Sequence, residues 1–166
     1  MKTPERDRTT PHRLATPADI PSVIALERDV PSLVHWSEQT YQAVFKPGAA
    51  ERILWVVEEH GQLRGFLVAR FTLSECELEN LVVAAGSRRR GSGSTLLQVL
   101  IDEARVRHLE RILLEVRPSN PAARALYERF GFRVEGNRKN YYSQPPEDAI
   151  VLALTLNCTS AGAPNR

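Results

Sequence analysis

Apolar residues recur along this chain with two periods, and each period predicts its own kind of secondary structure. Runs of β-branched and aromatic residues at 53–58, 63–73 and 77–84 predict three strands. The first two are separated by the turn His60-Gly61-Gln62, so successive strands of this group are expected to pair antiparallel. Residues 12–15 predict a short strand that precedes them.

Other segments carry apolar residues three and four positions apart, which predicts helices. Residues 16–29 combine a Thr-Pro-Ala-Asp start with an apolar stripe and predict a first helix. Ser37 is the expected N-cap of a second helix that ends before Pro47. Leucines and an isoleucine predict a third helix over about residues 92–107.

The remaining elements complete a mixed sheet. Residues 111–116 predict a short strand, and a strand–helix–strand order of this length implies a parallel crossover. Asn120 followed by proline predicts the N-cap of a fourth helix, which ends at Gly131. Residues 132–142 and 149–156 predict the last strands. The predicted fold class is α+β, an α/β/α sandwich with one sheet of six or seven strands and helices on both faces.

Composition narrows the class of protein. A length of 166 residues with 42% hydrophobic and 25% charged residues favours one globular domain, placed at 12–157 between flexible ends at 1–11 and 158–166. A net charge of +2 does not imply nucleic-acid binding. The cysteines and histidines show no metal or disulfide spacing, and no apolar run resembles a signal peptide or membrane span. We expect a cytoplasmic monomer or weak dimer that binds no metal, nucleic acid or membrane.

A basic, glycine-bearing turn runs from Arg88 through Arg89, Arg90, Gly91, Ser92 and Gly93 to Ser94. Backbone N–H groups at such glycines and at the helix start can hold an anion, and arginines add charged contacts. A Walker-type loop is excluded because Gly-Lys is absent, and a dinucleotide fingerprint because Leu96 stands at its third glycine. The turn predicts a diphosphate site; a glycine-rich loop with solvated arginines is the alternative.

Two further residues are candidates for proton transfer. Glu115 is a carboxylate within an apolar strand, where it needs water, a cleft or a partner. An ion pair with Arg117 or another arginine is the alternative to a catalytic base. Tyr127 lies on the fourth helix, where it is either a core residue or a proton donor. Glu115, Tyr127 and Asn120 are expected to converge with the basic turn at one edge of the sheet.

Two motifs resemble those of the GNAT superfamily of N-acetyltransferases. The pattern Arg88-x-x-Gly91-x-Gly93 resembles its acyl-CoA pyrophosphate motif, and the stretch from Asn120 to Phe132 resembles its next motif. With the order of strands, the resemblance covers about residues 12–157. Four shorter segments are similar to the ribosomal-protein-alanine N-acetyltransferases of the RimI type. They are His35-Trp36-Ser37, Glu115-Val116-Arg117, Asn140-Tyr141-Tyr142 and Glu147-Asp148-Ala149-Ile150.

The resemblance implies acetyl-CoA as donor, Glu115 as base and Tyr127 as acid. It implies as acceptor the N-terminal alanine of a small-subunit ribosomal protein. The residues implied to bind the donor are Leu81, Val82, Val83, Arg88, Arg89, Arg90, Gly91, Ser92, Gly93, Ser94, Asn120 and Ala123. Those implied to bind the acceptor are Trp36, Tyr141, Tyr142 and Glu147.

The chain also departs from the family's pattern. Ala84-Ala85 replaces an Asp-Pro that is frequent in the family, and the loop between Tyr142 and Glu147 is shorter than in some relatives. Acetylation of lysine or of a small-molecule amine is therefore an alternative. A non-catalytic CoA-binding module is an alternative of another class.

Overall fold

The computed structural model describes residues 11–30, 34–48 and 51–156. The extension predicted at 1–11 falls outside these residues except at position 11, and the tail predicted at 158–166 lies wholly outside them. The strands are β1 His12–Leu14, β2 Arg52–Glu59, β3 Gln62–Phe71, β4 Glu75–Val83, β5 Arg111–Val116, β6 Arg133–Ser143 and β7 Pro146–Thr155. The α-helices are α1 Ile20–Arg28, α2 Glu38–Ala43, α3 Ser92–Val106 and α4 Pro121–Arg129.

The strands form one mixed sheet with the order β1-β2-β3-β4-β5-β7-β6. The pair β4 and β5 is parallel and α3 lies between them in sequence, as the crossover prediction requires. The pairs β1–β2, β5–β7 and β6–β7 are antiparallel. The predicted α+β fold class with a mixed sheet is confirmed, with seven strands and, among the described residues, four α-helices.

Most predicted boundaries lie within two residues of those observed, and the two that are further off are wrong for identifiable reasons. Residues 17–19 form a 3-10 turn, so α1 begins at Ile20 instead of at the Thr-Pro-Ala-Asp start. The Asp19 carboxylate accepts the Thr16 N–H at 2.8 Å and stabilises that turn. Strand β7 begins at Pro146, three residues before the predicted start, because pairing with Ser143 extends the β6–β7 hairpin to its tip.

The chain divides into two compact units, of which the first comprises Met1–Val68 and Asn80–Val99. Apolar side chains from α1, α2 and strands β2 to β4 form its core, and each such side chain contributes about 1.5–3 kcal/mol when fully buried. The buried members are Ile20, Val23, Tyr41, Leu54, Val56, Phe66, Val68 and Val82.

The second unit comprises Ala69–Glu79 and Leu100–Arg166. Its part of β4 alternates between buried and half-buried residues, and so does β5. The register pairs Glu77 with Leu113, and the half-buried face carries carboxylates on both strands. One face of this part of the sheet is therefore apolar, and the other holds Glu75, Glu77, Glu79 and Glu115.

Three features bear on the expected class of protein. Over the part of the chain that the structure describes, no helix is long and apolar enough to cross a membrane. The same residues contain no group of three or more His, Cys, Asp or Glu side chains arranged to hold a metal ion. Cys76 is a buried free thiol, and burial raises its pKa to about 12; Cys158 lies outside the described residues.

Candidate active site

The basic turn in the first unit has the backbone conformation of an anion cradle. Arg89 and Gly91 have φ values of 62° and 95°, and α3 begins at the next residue, Ser92. A Cβ added at Gly91 would meet no atom within 4 Å, so a ligand can approach the backbone there. The three arginines are exposed, and Arg88 donates from Nε to the Val83 carbonyl oxygen at 3.4 Å. These features fit a diphosphate held by backbone N–H groups and guanidinium groups.

The end of β4, which carries the predicted donor contacts Leu81, Val82 and Val83, packs closely on β3. A Cβ added at Gly65 would lie 2.7 Å from the Val82 carbonyl oxygen, a distance that only glycine permits. The Ala84 N–H donates to the Arg64 carbonyl oxygen at 2.8 Å. Gly65 therefore determines how closely β3 supports the strand end that leads into the basic turn.

Glu115 occupies the half-buried face of β5 in the second unit. Its Oε1 lies 3.1 Å from an Nη of Arg138 on β6, and the side chains are 12% and 57% exposed respectively. The ion pair expected as the alternative to a catalytic base is present, with Arg138 instead of Arg117 as the partner. The pattern of β5 alone does not identify this arginine, because β6 lies further along the chain.

The surroundings of Glu115 shift its acidity in opposite directions. Burial raises the pKa of Glu115, the Arg138 guanidinium lowers it, and the Glu77 carboxylate raises it again, for a net rise. A carboxylate with a raised pKa is a stronger base than an exposed glutamate, so its basicity is closer to that needed near neutral pH. Geometry and acidity therefore suit Glu115 to accept a proton.

Tyr127 is buried on α4 and packs against Phe132, with ring centroids 5.7 Å apart. Burial raises the pKa of Tyr127, and Tyr142 raises it further, so the phenol is held protonated. A neutral phenol is the form that donates a proton. The core position therefore keeps the proton on Tyr127, and the raised pKa also makes this phenol a weaker acid than an exposed tyrosine.

Asn120 and Ala123, both predicted to contact the donor, form the cap of α4. The Asn120 Oδ1 accepts the Ala123 N–H at 3.1 Å, and Pro121 occupies the first helical position. The predicted N-cap is confirmed. The cap uses the side-chain oxygen of Asn120 and leaves its amide nitrogen as a further donor.

The predicted acceptor residues of the second unit lie on the β6–β7 hairpin. The rings of Tyr141 and Tyr142 meet edge to face with centroids 5.0 Å apart. The Arg117 guanidinium lies 3.9 Å from the Tyr142 ring centroid and donates to Glu147 at 3.2 Å. Glu147 also accepts the N–H and hydroxyl of Ser119, each at 2.7 Å. Its carboxylate therefore already holds the hairpin in place.

Trp36, the predicted acceptor residue of the first unit, adjoins a buried carboxylate. The backbone N–H of Trp36 donates to the Glu27 carboxylate at 3.1 Å, and its ring centroid lies 5.3 Å from that of Tyr41. Glu27 also accepts from the Tyr41 hydroxyl and the Asn80 amide, both at 2.9 Å. Sequence reasoning missed Glu27, although it follows Val23 by four positions on the apolar stripe of α1.

The structure brings several site residues together within each unit. In the second unit, Glu115 acts electrostatically on Tyr141, Tyr141 contacts Tyr142, and Tyr142 acts on Tyr127. In the first unit, Val83 contacts Arg88 at the start of the basic turn. Arg138 is the principal residue that sequence reasoning missed here, and its nearness to the predicted motif Asn140-Tyr141-Tyr142 was the available signal.

Comparison with known proteins identifies relatives over most of the chain. Residues 21–132 match the profile of the family described as Acetyltransferase (GNAT) family. The chain is 37% identical over 142 residues to the [ribosomal protein bS18]-alanine N-acetyltransferase of Escherichia coli, covering 84% of this chain and 93% of that protein. It is 32% identical over 102 residues to the putative enzyme of the same name from Bacillus subtilis, covering 61% and 68%.

Solved structures show the same fold. The crystal structure of the ribosomal-protein-S18-alanine N-acetyltransferase from Escherichia coli superposes with a TM-score of 0.80 at 31% identity, covering 92% of this chain and 97% of that one. The ribosomal-protein-alanine N-acetyltransferase from Brucella melitensis gives a TM-score of 0.76 at 26% identity, covering 88% and 99%.

Proposed function

Because this chain belongs to the acetyltransferase (GNAT) family, we propose that it acetylates the N-terminal α-amine of a protein, with the N-terminal alanine of ribosomal protein bS18 as acceptor. The observation that carries the acceptor is the 37% identity to the Escherichia coli bS18-alanine enzyme over 84% of this chain. The proposed location is the cytoplasm, which is consistent with a ribosomal acceptor and is the expectation from the sequence. The family implies acetyl-CoA as donor.

The donor half of the site is proposed from the cradle and its flanking strand. The basic turn from Arg88 to Ser94 holds the CoA pyrophosphate through backbone N–H groups at the start of α3. Leu81 to Val83 line the pantetheine arm, and Asn120 and Ala123 contact the donor from the start of α4. Support comes from the open backbone at Gly91 and the exposed arginines beside it. Acetyl-CoA supplies the activated acetyl group.

Glu115 and Tyr127 then divide the proton transfers. Glu115 takes a proton from the acceptor ammonium, directly or through water, and the freed lone pair bonds to the thioester carbonyl carbon. As the carbon–sulfur bond breaks, the Tyr127 hydroxyl protonates the leaving thiolate, and the second proton that the attacking nitrogen loses returns to Tyr127, directly or through water. An α-amine, with a pKa of about 8, needs a weaker base than lysine, with a pKa of about 10.4. The raised pKa of Glu115 supports this assignment.

The acceptor half is proposed to include Trp36, Tyr141, Tyr142 and Glu147. Tyr141 is 45% exposed, and its pKa is raised by burial and by the nearby Glu115 carboxylate, so it is suited to contact the first residue of the acceptor beside the proposed base. The Glu147 carboxylate is engaged by Arg117 and Ser119, so its proposed part is to hold the wall that Tyr142 forms.

Mass spectrometry of defined acceptors tests the proposal. An alanine-first peptide that contains one lysine is incubated with acetyl-CoA and enzyme, beside the same peptide with a blocked α-amine and beside a polyamine. We expect acetylation only at the free α-amine. Transfer to the lysine or the polyamine instead would contradict the acceptor assignment.

Two variants test the roles in catalysis. Glu115→Gln is expected to lower kcat by about 10²–10⁴-fold, the range for general acid–base groups, while calorimetry shows unchanged acetyl-CoA affinity. Tyr127→Phe is expected to slow turnover with the same unchanged affinity. Wild-type turnover in Glu115→Gln would remove this carboxylate from the chemistry.

A further inference from the structure

Arg138 faces the candidate base with a geometry that suits a temporary partner. Its Nη lies 3.1 Å from the Glu115 Oε1, yet its side chain is 57% exposed while that of Glu115 is 12% exposed. An exposed guanidinium keeps most of its hydration, so leaving such an ion pair costs little. The Glu115 side chain is much less exposed, so an ionised Glu115 depends more on a nearby cation than Arg138 depends on a nearby carboxylate.

The backbone around Arg138 is irregular in the way that redirects side chains. The β6–β7 register shifts between Arg138 and Tyr142, and Asn140 between them has a φ of 52°. Such bulges aim a side chain away from the regular alternation of a strand. The guanidinium also lies 5.6 Å from the Tyr141 ring centroid. Arg138 therefore approaches Glu115 from the hairpin that carries the proposed acceptor wall.

The charges on the half-buried face of β4 and β5, which carries Glu115, favour the binding of a cation. Besides Glu115, the face carries Glu77 and Glu79, both of which pair with Arg70. Glu77 acts electrostatically on Glu115, and Glu77 and Glu79 both act on Tyr141. Departure of Arg138 leaves Glu115 without its ion-pair partner and beside the Glu77 carboxylate, which disfavours the ionised form of Glu115. An ammonium group restores the charge.

We propose that Arg138 is a displaceable counter-ion of Glu115: it pairs with the carboxylate in the acceptor-free enzyme and gives up this place to the acceptor's α-ammonium. The inference rests on the proposed function, because it assumes that Glu115 meets the acceptor amine. Arg138 is a positioning residue that acts through Glu115. The exchange substitutes one cation for another, so Glu115 remains ionised until it accepts the proton of the ammonium.

Burial raises the pKa of Tyr141 and Tyr142 on β6, and the charge of Glu115 raises it further. Burial also raises the pKa of Glu115, and the charged groups that shift it are Arg138 on β6, which lowers it, and Glu77 on β4, which raises it. Removing the only cation among them disfavours the carboxylate. As pH falls, kcat/KM is expected to fall when Glu115 becomes protonated, and this is the acid limb of the pH profile. In Arg138→Gln the acid limb is expected to move to higher pH by about one unit, the smallest shift usual for loss of a neighbouring opposite charge. Arg138→Lys keeps the charge and is expected to keep the limb in place.

The experiment measures kcat and KM for an alanine-first peptide against pH, at saturating acetyl-CoA, in wild type, Arg138→Gln and Arg138→Lys. Lys139→Gln is the matched control, since it removes the same charge from the adjacent residue. Above the acid limb, Arg138→Gln is expected to lower the peptide KM, because no guanidinium competes with the ammonium. A raised KM would show that Arg138 contacts the acceptor and would overturn the inference.

The remaining outcomes separate this inference from the proposed function. An acid limb that stays in place in Arg138→Gln, or moves equally in Lys139→Gln, overturns the counter-ion role. If Glu115→Gln keeps wild-type turnover, the base assignment itself fails. Carboxyl NMR titration of Glu115 in the acceptor-free enzyme gives the same comparison without activity: a higher pKa in Arg138→Gln supports the pairing, and an unchanged pKa contradicts it.

Discussion

Tyr41 donates its hydroxyl to the buried carboxylate of Glu27 at 2.9 Å, which links α2 to α1 inside the first unit. The Asn80 side-chain amide on β4 donates to the same carboxylate oxygen, and the backbone N–H of Trp36 donates to the other carboxylate oxygen. Glu27 is 1% exposed, and burial raises its pKa above the usual range although the three donors lower it. One carboxylate thus joins two helices, a strand and the proposed acceptor residue Trp36.

Glu27→Ala is expected to destabilise the protein markedly. It leaves the buried Tyr41 and Asn80 donors without an acceptor, at about 1–3 kcal/mol for each. Urea unfolding measures the loss. Glu38→Gln, on the exposed side of α2, is the control and is expected to stay within about 0.5 kcal/mol of wild type. Equal unfolding free energies for Glu27→Ala and wild type would show that the network is not stabilising.

Gly65→Ala is expected to disturb the pairing of β3 with β4. The added Cβ would stand 2.7 Å from the Val82 carbonyl oxygen, and backbone cannot move aside as a flexible side chain can. Overpacking of this kind costs about 1–3 kcal/mol, which thermal unfolding detects. Gly86→Ala serves as the control, because a Cβ there would meet nothing within 4 Å. Similar melting temperatures for both variants would contradict the close approach.

Gly91→Val tests the proposed cradle. Its φ of 95° is unfavourable for a β-branched residue, and the added side chain would cover the open backbone. We expect acetyl-CoA affinity, measured by calorimetry, to fall by about tenfold, equivalent to about 1.4 kcal/mol. The matched change Gly86→Val, just before the turn, is expected to bind acetyl-CoA as wild type does. Unaltered affinity in Gly91→Val would dismiss this turn as the pyrophosphate site.

The stability of the fold is expected to fall at low pH because of Asp19, whose carboxylate accepts hydrogen bonds from the Arg13 guanidinium at 2.8 and 2.9 Å. The hydrogen bond with Arg13 contributes most to lowering the pKa of Asp19 to about 2. Since the pKa is lower in the folded protein than the unfolded value of about 3.9, this stabilisation is complete above that value. It is lost as pH falls towards 2. Urea unfolding at several pH values should therefore show that the free energy of unfolding of wild type exceeds that of Asp19→Asn above the unfolded pKa, and that this difference shrinks as pH falls towards 2.

An advantage of wild type over Asp19→Asn that does not change between pH 5 and pH 2 would contradict this linkage. His12→Gln on the same strand is a control for general effects of substitution in β1, since it leaves the Arg13–Asp19 pair in place. The free energy of unfolding of His12→Gln should change between pH 5 and pH 2 as that of wild type does.

Local patterns were sufficient to predict most elements. The Asn120-Pro121 pair determined the start of α4, and the strand–helix–strand order determined the parallel β4–β5 pairing. Both depend on residues near one another in sequence, where capping and chain direction act directly. The start of α1 was wrong because residues 17–19 also satisfy a tighter turn that Asp19 stabilises. The extent of the β6–β7 hairpin was underestimated because pairing across its tip is not visible in either strand alone.

The candidate site also has some features that the local sequence determines and others that depend on the tertiary structure. The sequence alone determined that Glu115 is a carboxylate within a short apolar strand and that Gly91 lies in a turn before a helix, because period and glycine spacing are local. Only the tertiary structure decided that Arg138 pairs with Glu115, that Arg117 pairs with Glu147 instead, and that Glu27 is buried among donors. Such partners come from elements distant in the chain, and a register shift such as that between Arg138 and Tyr142 changes which side chains meet.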